Sequence, residues 1–348
     1  NIYFKFGQHF YQTKKYVEAL EWFEKTDKND LDTSLLDEYN FKLGYAYFQL
    51  ENYPEARNAF YDVKDSKGAY GGPALYYYAH IAYKNKTYQT ALDAFLKLQE
   101  NPTFKNEVAY YIIQIYYLLG DFDALLSFAP GSIDEGANSK TPEMNQLIGD
   151  AYFRVERYDE AIVYLEDYAK SAQTTRDDKY QLGYAYFKST YYNKAIQLFD
   201  RVAGNHDDKL AQVALYHAAE SYKKIDRLDY ARSAFEKAAN IDADLKIKED
   251  ALYHYAVLSY ELDYNPYNES IKAFEKFLNE FPNSTRKEDV NTYLVNVYAN
   301  TKKYKEALAS LDRINDKSLR LKRTYQIIAF NWGVELYERG DFLDAIKK

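Results

Sequence analysis

The 348-residue chain exceeds one ordinary compact core, so it has to divide into domains or stack as a repeat array. Hydrophobic residues make up 47% and charged residues 28%, with only 13 Gly and 7 Pro, which excludes collagen-like, linker-rich and disordered classes. A net charge of −8 argues against a phosphate-tracking nucleic-acid groove, and the absence of cysteine removes disulfides, thiolate metal sites and cysteine nucleophiles.

Taken in chain order, the sequence reads as a succession of helical hairpins. The first long pattern is LGYAYFQLENYPEARNAF at Leu43–Phe60. It returns as IGDAYFRVERYDEAIVYL at Ile148–Leu165 and as LGYAYFKSTYYNKAIQLF at Leu182–Phe199. Each copy places a small residue, then an aromatic three residues later, then Ala and a large apolar residue on a second helix. A second-helix anchor extends this over the whole chain at intervals of roughly 35 residues: Ala19, Ala56, Ala91, Ala124, Ala161, Ala195, Ala231, Ser270, Ala307 and Ala345.

The spacing assigns each position a physical task. Gly44, Gly149 and Gly183 are expected where the first helix presses on the second, with Ala79 and Ala219 filling that slot elsewhere. Ala56, Ala161 and Ala195 supply the facing small surface. Tyr47, Tyr152, Tyr186 and Tyr222 fill the space between helices, and Phe60, Phe95, Phe199, Phe235 and Phe274 cover the contact with the next unit. Tyr16, Tyr53, Tyr88, Tyr158, Tyr192 and Tyr304 mark the turn from first to second helix.

The pattern frays in three places. The fourth unit, Gly120-Asp-Phe-Asp-Ala124, is one residue short between aromatic and Ala. It leads into APGSIDEGANSKTPE (Ala129–Glu143), a stretch of turn chemistry with little apolar periodicity. A bend is expected there, giving an N-terminal block over 1–129, an irregular loop over 130–143 and a C-terminal block over 144–348. The eighth unit carries one or two extra residues around Asn265-Pro266, and the tenth stops at Lys348 inside its second helix. An uncapped apolar face is expected there, with a native chain that continues.

Catalytic signatures do not emerge. No pair among His9, His80, His206, His217 and His254 has His-Glu-x-x-His spacing, and His217 and His254 share an ALYH context that makes them repeat positions before ligands. Gly71-Gly72-Pro73 reads as a turn, and no Gly-x-Ser-x-Gly elbow occurs. The acid pairs Asp177-Asp178 and Asp207-Asp208 precede helices, where they favour the positive end of the dipole. Arg320-Leu-Lys-Arg323 reads as a solvated helix face. No enzyme, cofactor or metal is expected, and no segment approaches the length of a membrane span.

The Gly-x-x-Tyr…Ala-x-x-x-Phe pattern resembles the tetratricopeptide repeat. That resemblance implies an all-α, right-handed superhelical solenoid of about ten helix–turn–helix units. It also implies a concave groove faced by the first-helix residues one and four after the small slot: Tyr45, Phe48, His80, Tyr83, Phe153, Tyr184 and Phe187. Phe41, Tyr76, Tyr180 and Tyr216, three before the slot, share that helical face. Aromatic rather than charged residues thus line the expected partner site, drawn from an unusual total of 40 Tyr and 20 Phe. One subclass of the family grips a carboxylate with Lys, Arg and Asn. Phe4, Gln8, Phe41, Tyr45 and Tyr76 stand in those slots, so that clamp is absent.

Single repeats, notably Phe274–Leu308 with its Phe-Pro-Asn-Ser segment, resemble those of Gram-negative envelope proteins of the outer-membrane barrel-assembly lipoprotein and Tol-Pal coordinator type. The expectation is a non-catalytic scaffold for a protein or peptide partner, in a membrane-associated complex of the periplasm or outer-membrane periplasmic face. A cytoplasmic setting is the alternative location. Alternative functions are glycan or peptidoglycan binding on tyrosine platforms, or the interaction arm of a larger enzyme.

Overall fold

The structure is a computed structural model that describes all residues except 1, 132–140, 263–267, 301, 315–316 and 318. Among the described residues it contains twenty α-helices and no strand. They form ten consecutive hairpins in two compact units, residues 1–173 and 174–348. The first unit holds α1 (Ile2–Gln12) and α2 (Tyr16–Glu24), α3 (Thr33–Gln49) and α4 (Tyr53–Tyr61), α5 (Gly71–Lys84) and α6 (Tyr88–Leu96), α7 (Lys105–Leu119) and α8 (Phe122–Phe128), and α9 (Thr141–Arg154) and α10 (Tyr158–Ser171). The second holds α11 (Arg176–Lys188) and α12 (Tyr192–Ala203), α13 (Lys209–Lys224) and α14 (Leu228–Ala239), α15 (Leu245–Glu261) and α16 (Asn268–Glu280), α17 (Lys287–Asn300) and α18 (Tyr304–Asp312), and α19 (Leu319–Glu338) and α20 (Phe342–Ala345). The bend expected over 130–143 falls mostly on 132–140, and Asn265-Pro266 falls within 263–267; both lie outside the described residues.

Every turn aromatic named from the sequence is the first residue of a second helix. Two residues earlier the backbone enters the left-handed region in nine of the hairpins. Lys14, Glu51, Lys86, Glu156, Thr190, Asp226 and Lys302 do so at φ between 57° and 65°, and Gly120 and Gly340 at φ 72° and 87°. The next amide then reaches back to a carbonyl five residues earlier, as Asn52 N to Tyr47 O at 2.9 Å and Tyr191 N to Tyr186 O at 2.8 Å. This left-handed cap satisfies carbonyls that a helix end leaves unbonded, and it reverses the chain in two residues.

The small slot behaves as expected. A Cβ built on Gly44 would lie 2.9 Å from the Phe60 ring, one on Gly149 2.7 Å from Leu165, and one on Gly183 3.1 Å from Phe199. Ala56, Ala79, Ala161, Ala195 and Ala219 are fully buried. Gly7 occupies the same slot against Phe23. In the fourth hairpin the anchor is Leu125 rather than Ala124: Leu125 is buried and Ala124 only half-buried. Counting three residues from Phe122, as in the other hairpins, leads to Leu125, which restores the spacing.

Second-helix phenylalanines form the seams between hairpins. Phe23, Phe60, Phe95, Phe199, Phe235 and Phe274 are all fully buried. Each unit also contains one tryptophan. Trp22 lies 6.0 Å from Tyr3 and 4.9 Å from Phe6, while Trp332 carries the Lys348 ammonium 3.7 Å from its ring centre. Phe330, Tyr337, Leu343 and Ile346 of the tenth hairpin are exposed.

Candidate functional site

The eleven predicted groove residues are half-buried without exception. They recur at three positions of α3, α5, α9, α11 and α13, spaced so that they share one helical face. Within the first unit Phe41, Tyr45 and Phe48 of α3 meet α5, with Tyr45 and Phe48 5.2 and 5.0 Å from Tyr77. Phe48 also approaches His80 at 5.7 Å, and His80 and Tyr83 in turn approach Tyr111 of α7. Tyr76 stacks on Phe104 at 5.2 Å and 18°. Phe153 stands edge-on to Tyr158 of its own hairpin. In the second unit Tyr180, Tyr184 and Phe187 of α11 converge on His217 of α13, at 6.2, 5.1 and 5.4 Å. Tyr216 packs on Phe235.

The rings that knit these rails together carry no distinguishing signal in the sequence. Two residues before the small slot, a flat side chain lies against the Phe that closes the preceding hairpin. Tyr77 stacks on Phe60 at 5.5 Å and 18°, Tyr111 on Phe95 at 5.0 Å and 7°, and Tyr293 on Phe274 at 5.2 Å and 9°. His217 and His254 hold the same slot against Phe199 and Phe235, at 33° and 27°. They are therefore members of a stacking position, in keeping with their shared ALYH context. Burial pushes the His254 imidazole below its usual range, with Asp250 opposing the shift. No cluster of three metal-ligating side chains occurs among the described residues.

Some hydroxyl groups on and beside the rails are engaged. Tyr83 donates to Gln114 Oε1 at 2.7 Å, and Tyr117 donates to Asp150 Oδ2 at 2.5 Å. Tyr216 donates to Asp250, whose other oxygen pairs with Arg286. The Arg286 guanidinium lies 4.5 Å from the centre of the Tyr253 ring. Burial pushes the Tyr77 hydroxyl up to about 12, and proximity to Tyr45 adds to the shift. Tyr76, Tyr180 and Tyr216 are also raised, chiefly by burial. The rails present half-buried aromatic side chains and neutral hydroxyls.

The acid pairs act as helix caps. Thr175 Oγ1 accepts from Asp178 N at 3.1 Å, and Asp178 accepts from Thr175 N at 2.8 Å, a reciprocal box opening α11. Asp208 accepts from Ala211 N at 2.8 Å and receives both Arg176 Nη atoms, at 2.6 and 3.0 Å. The Arg176 hydrogen bonds and the amide at the helix start hold its carboxyl well below the usual range.

Family models described as tetratricopeptide repeat match residues 41–104 and 250–284. A model described as anaphase-promoting complex, cyclosome, subunit 3 matches residues 155–238. No curated protein matches the chain. Among solved structures, the C-terminal part of a TPR repeat-containing protein from Cytophaga hutchinsonii is 16% identical, covers 78% of this chain and 98% of its own, and has a TM-score of 0.44. A tetratricopeptide repeat protein from Parabacteroides merdae is 12% identical over 75% of this chain and 98% of its own, with a TM-score of 0.41. YrrB, described as a TPR protein with an unusual peptide-binding site, is 19% identical over 56% and 95%, with a TM-score of 0.43. The chain thus carries tetratricopeptide repeats, within an all-α succession of helical hairpins.

Proposed function

We propose that the chain is a non-catalytic scaffold whose aromatic rails hold an extended segment of a protein partner. The observation that carries this reading is the half-burial of all eleven rail residues. Each ring touches neighbouring side chains, yet the residue keeps part of its surface open to solvent. Such a surface offers large apolar contact area while losing little side-chain entropy on binding. Stacked pairs such as Tyr76–Phe104 turn their faces to each other, which favours side-chain insertion between edges over sugar rings lying flat on a platform.

The partner belongs to a bacterial cell-envelope assembly in this reading, which rests on the local likeness of Phe274–Leu308 to envelope repeats. The test is crosslinked capture from the native cell with the whole chain and with Tyr184→Ala plus Phe187→Ala. The double variant should stay folded and lose its specific partner by about tenfold or more, since central aromatic anchors each contribute about 2 kcal/mol. Undiminished capture, or a captured partner that resides in the cytoplasm, overturns the rail reading or the envelope setting respectively.

A further inference from the structure

In the second unit a cleft enclosing about 640 Å³ opens between α12, α13 and α14. Its walls include Asp200, Leu215, Tyr222, Tyr230 and Lys237. Leu215 and Tyr222 sit one residue, about 100° of helix rotation, away from Tyr216 and Lys223. The cleft therefore uses a different face of α13 from the rail, and a ligand held there is independent of the proposed scaffold role.

The cleft exists where a recurring contact fails to form. At two other junctions the tyrosine three residues after the small slot donates to an acid of the preceding second helix. Tyr47 reaches Glu24 at 2.7 Å, and Tyr298 reaches Glu275 at 2.5 Å. The equivalent acid on α12 is Asp200, one methylene shorter. Tyr222 does not bond it and instead stacks on Tyr230 at 5.4 Å and 25°. Among the described residues the Asp200 side chain makes no hydrogen bond or ion pair, and neither does the Lys237 side chain across the same cleft.

Asp200 is open to solvent at the cleft mouth, yet the surrounding walls displace enough water to push its carboxyl above the usual range, and Lys237 works against that shift. Two opposite charges thus face one space without meeting. A lone cation in that space would be repelled by Lys237, and a lone anion by Asp200 and Asp207. A ligand carrying both signs satisfies both walls, with charge-assisted hydrogen bonds at each end. Leu215 and the stacked tyrosine pair provide apolar area for a side chain.

We propose that this cleft binds a small zwitterion of the free amino-acid class, its ammonium on Asp200, its carboxylate on Lys237 and its side chain against Tyr222 and Tyr230. Calorimetric titration of the whole chain with each of the twenty common amino acids provides the test. The strongest binder is then compared with its decarboxylated amine and its deaminated acid. Saturable binding is expected for at least one amino acid, with both analogues about tenfold weaker or worse, given the strength of hydrogen bonds to charged groups. Asp200→Asn and Lys237→Met should each weaken binding about tenfold, while the exposed Asp229→Asn should not.

Asp200→Glu is the sharper variant. Its longer side chain should restore the tyrosine–acid bond and abolish binding while the melting midpoint holds or rises. Absence of saturable binding across the panel overturns the proposal. So does equal affinity for the amine alone, or unchanged binding in Asp200→Glu.

Discussion

Gly44, Gly149 and Gly183 hold their helix pairs so close that an added Cβ would press on Phe60, Leu165 and Phe199 at 2.9, 2.7 and 3.1 Å. Gly183→Leu should overpack α11 against α12 and cost about 1–3 kcal/mol, read as a lowered midpoint in thermal or denaturant melts. These glycines are legible because they recur with Tyr three residues on. Gly7 does the same work but is followed by Phe10, so a pattern keyed to tyrosine passes over it. Seven left-handed turn residues are invisible for another reason: Lys, Glu, Thr and Asp stand where the backbone calls for Gly, so composition gives no hint of the cap. Tyrosine burial has a consequence in alkali. Tyr77 is pushed up to about 12 and Tyr76, Tyr180 and Tyr216 are raised as well, against about 10 in an unfolded chain. Above pH 10 the unfolded state therefore releases protons that the folded state retains, so stability is fully present below that pH and falls as pH rises toward 12. A fraction of the tyrosinate absorbance should appear only together with loss of helical circular dichroism; a tyrosine titration that runs to completion near pH 10 in an intact helical protein would contradict the burial.

At the scale of the element, each seam is a phenylalanine capped by a flat ring from the next first helix. Phe95→Ala removes the platform under Tyr111 and should cost about 3–5 kcal/mol. Neighbour-limited coupling in repeat arrays predicts that amide exchange quickens first in α5 to α7. Uniform acceleration across the second unit would count against a local seam. Helix number and the starts of second helices are readable, since turn aromatics and small residues are set by local geometry. The flat-ring slot is not readable as a class, because Tyr and His share it and a chain with 40 tyrosines hides any single tyrosine position. Alanine spacing points to Ala124 as the fourth anchor, whereas the geometry accepts Leu125. The Asp200 cleft depends on one missing methylene, which becomes visible only when the reach of Tyr47 and Tyr298 is known.

At the scale of the molecule, residues 1–173 and 174–348 each contain five helical hairpins with their own seams. Each span produced by itself should fold to a helical, cooperatively melting protein, because a repeat draws its stability from its neighbours rather than from distant sequence. A span that stays unfolded at neutral pH would show that its seams are too weak to stand alone. The all-α class can be read from the sequence because every unit repeats the same local rules; the point of division cannot, because α10 and α11 each obey those rules in full. The pairing of one indole with each span has an experimental use. Trp22 is flanked by Tyr3 and Phe6 with the Lys25 ammonium 4.7 Å from its ring centre, and Trp332 lies beneath the Lys348 ammonium, so each half owns a separate optical reporter. Replacing either indole with phenylalanine leaves a chain whose remaining emission tracks the unwinding of a single half, within the intact polypeptide and without any added dye.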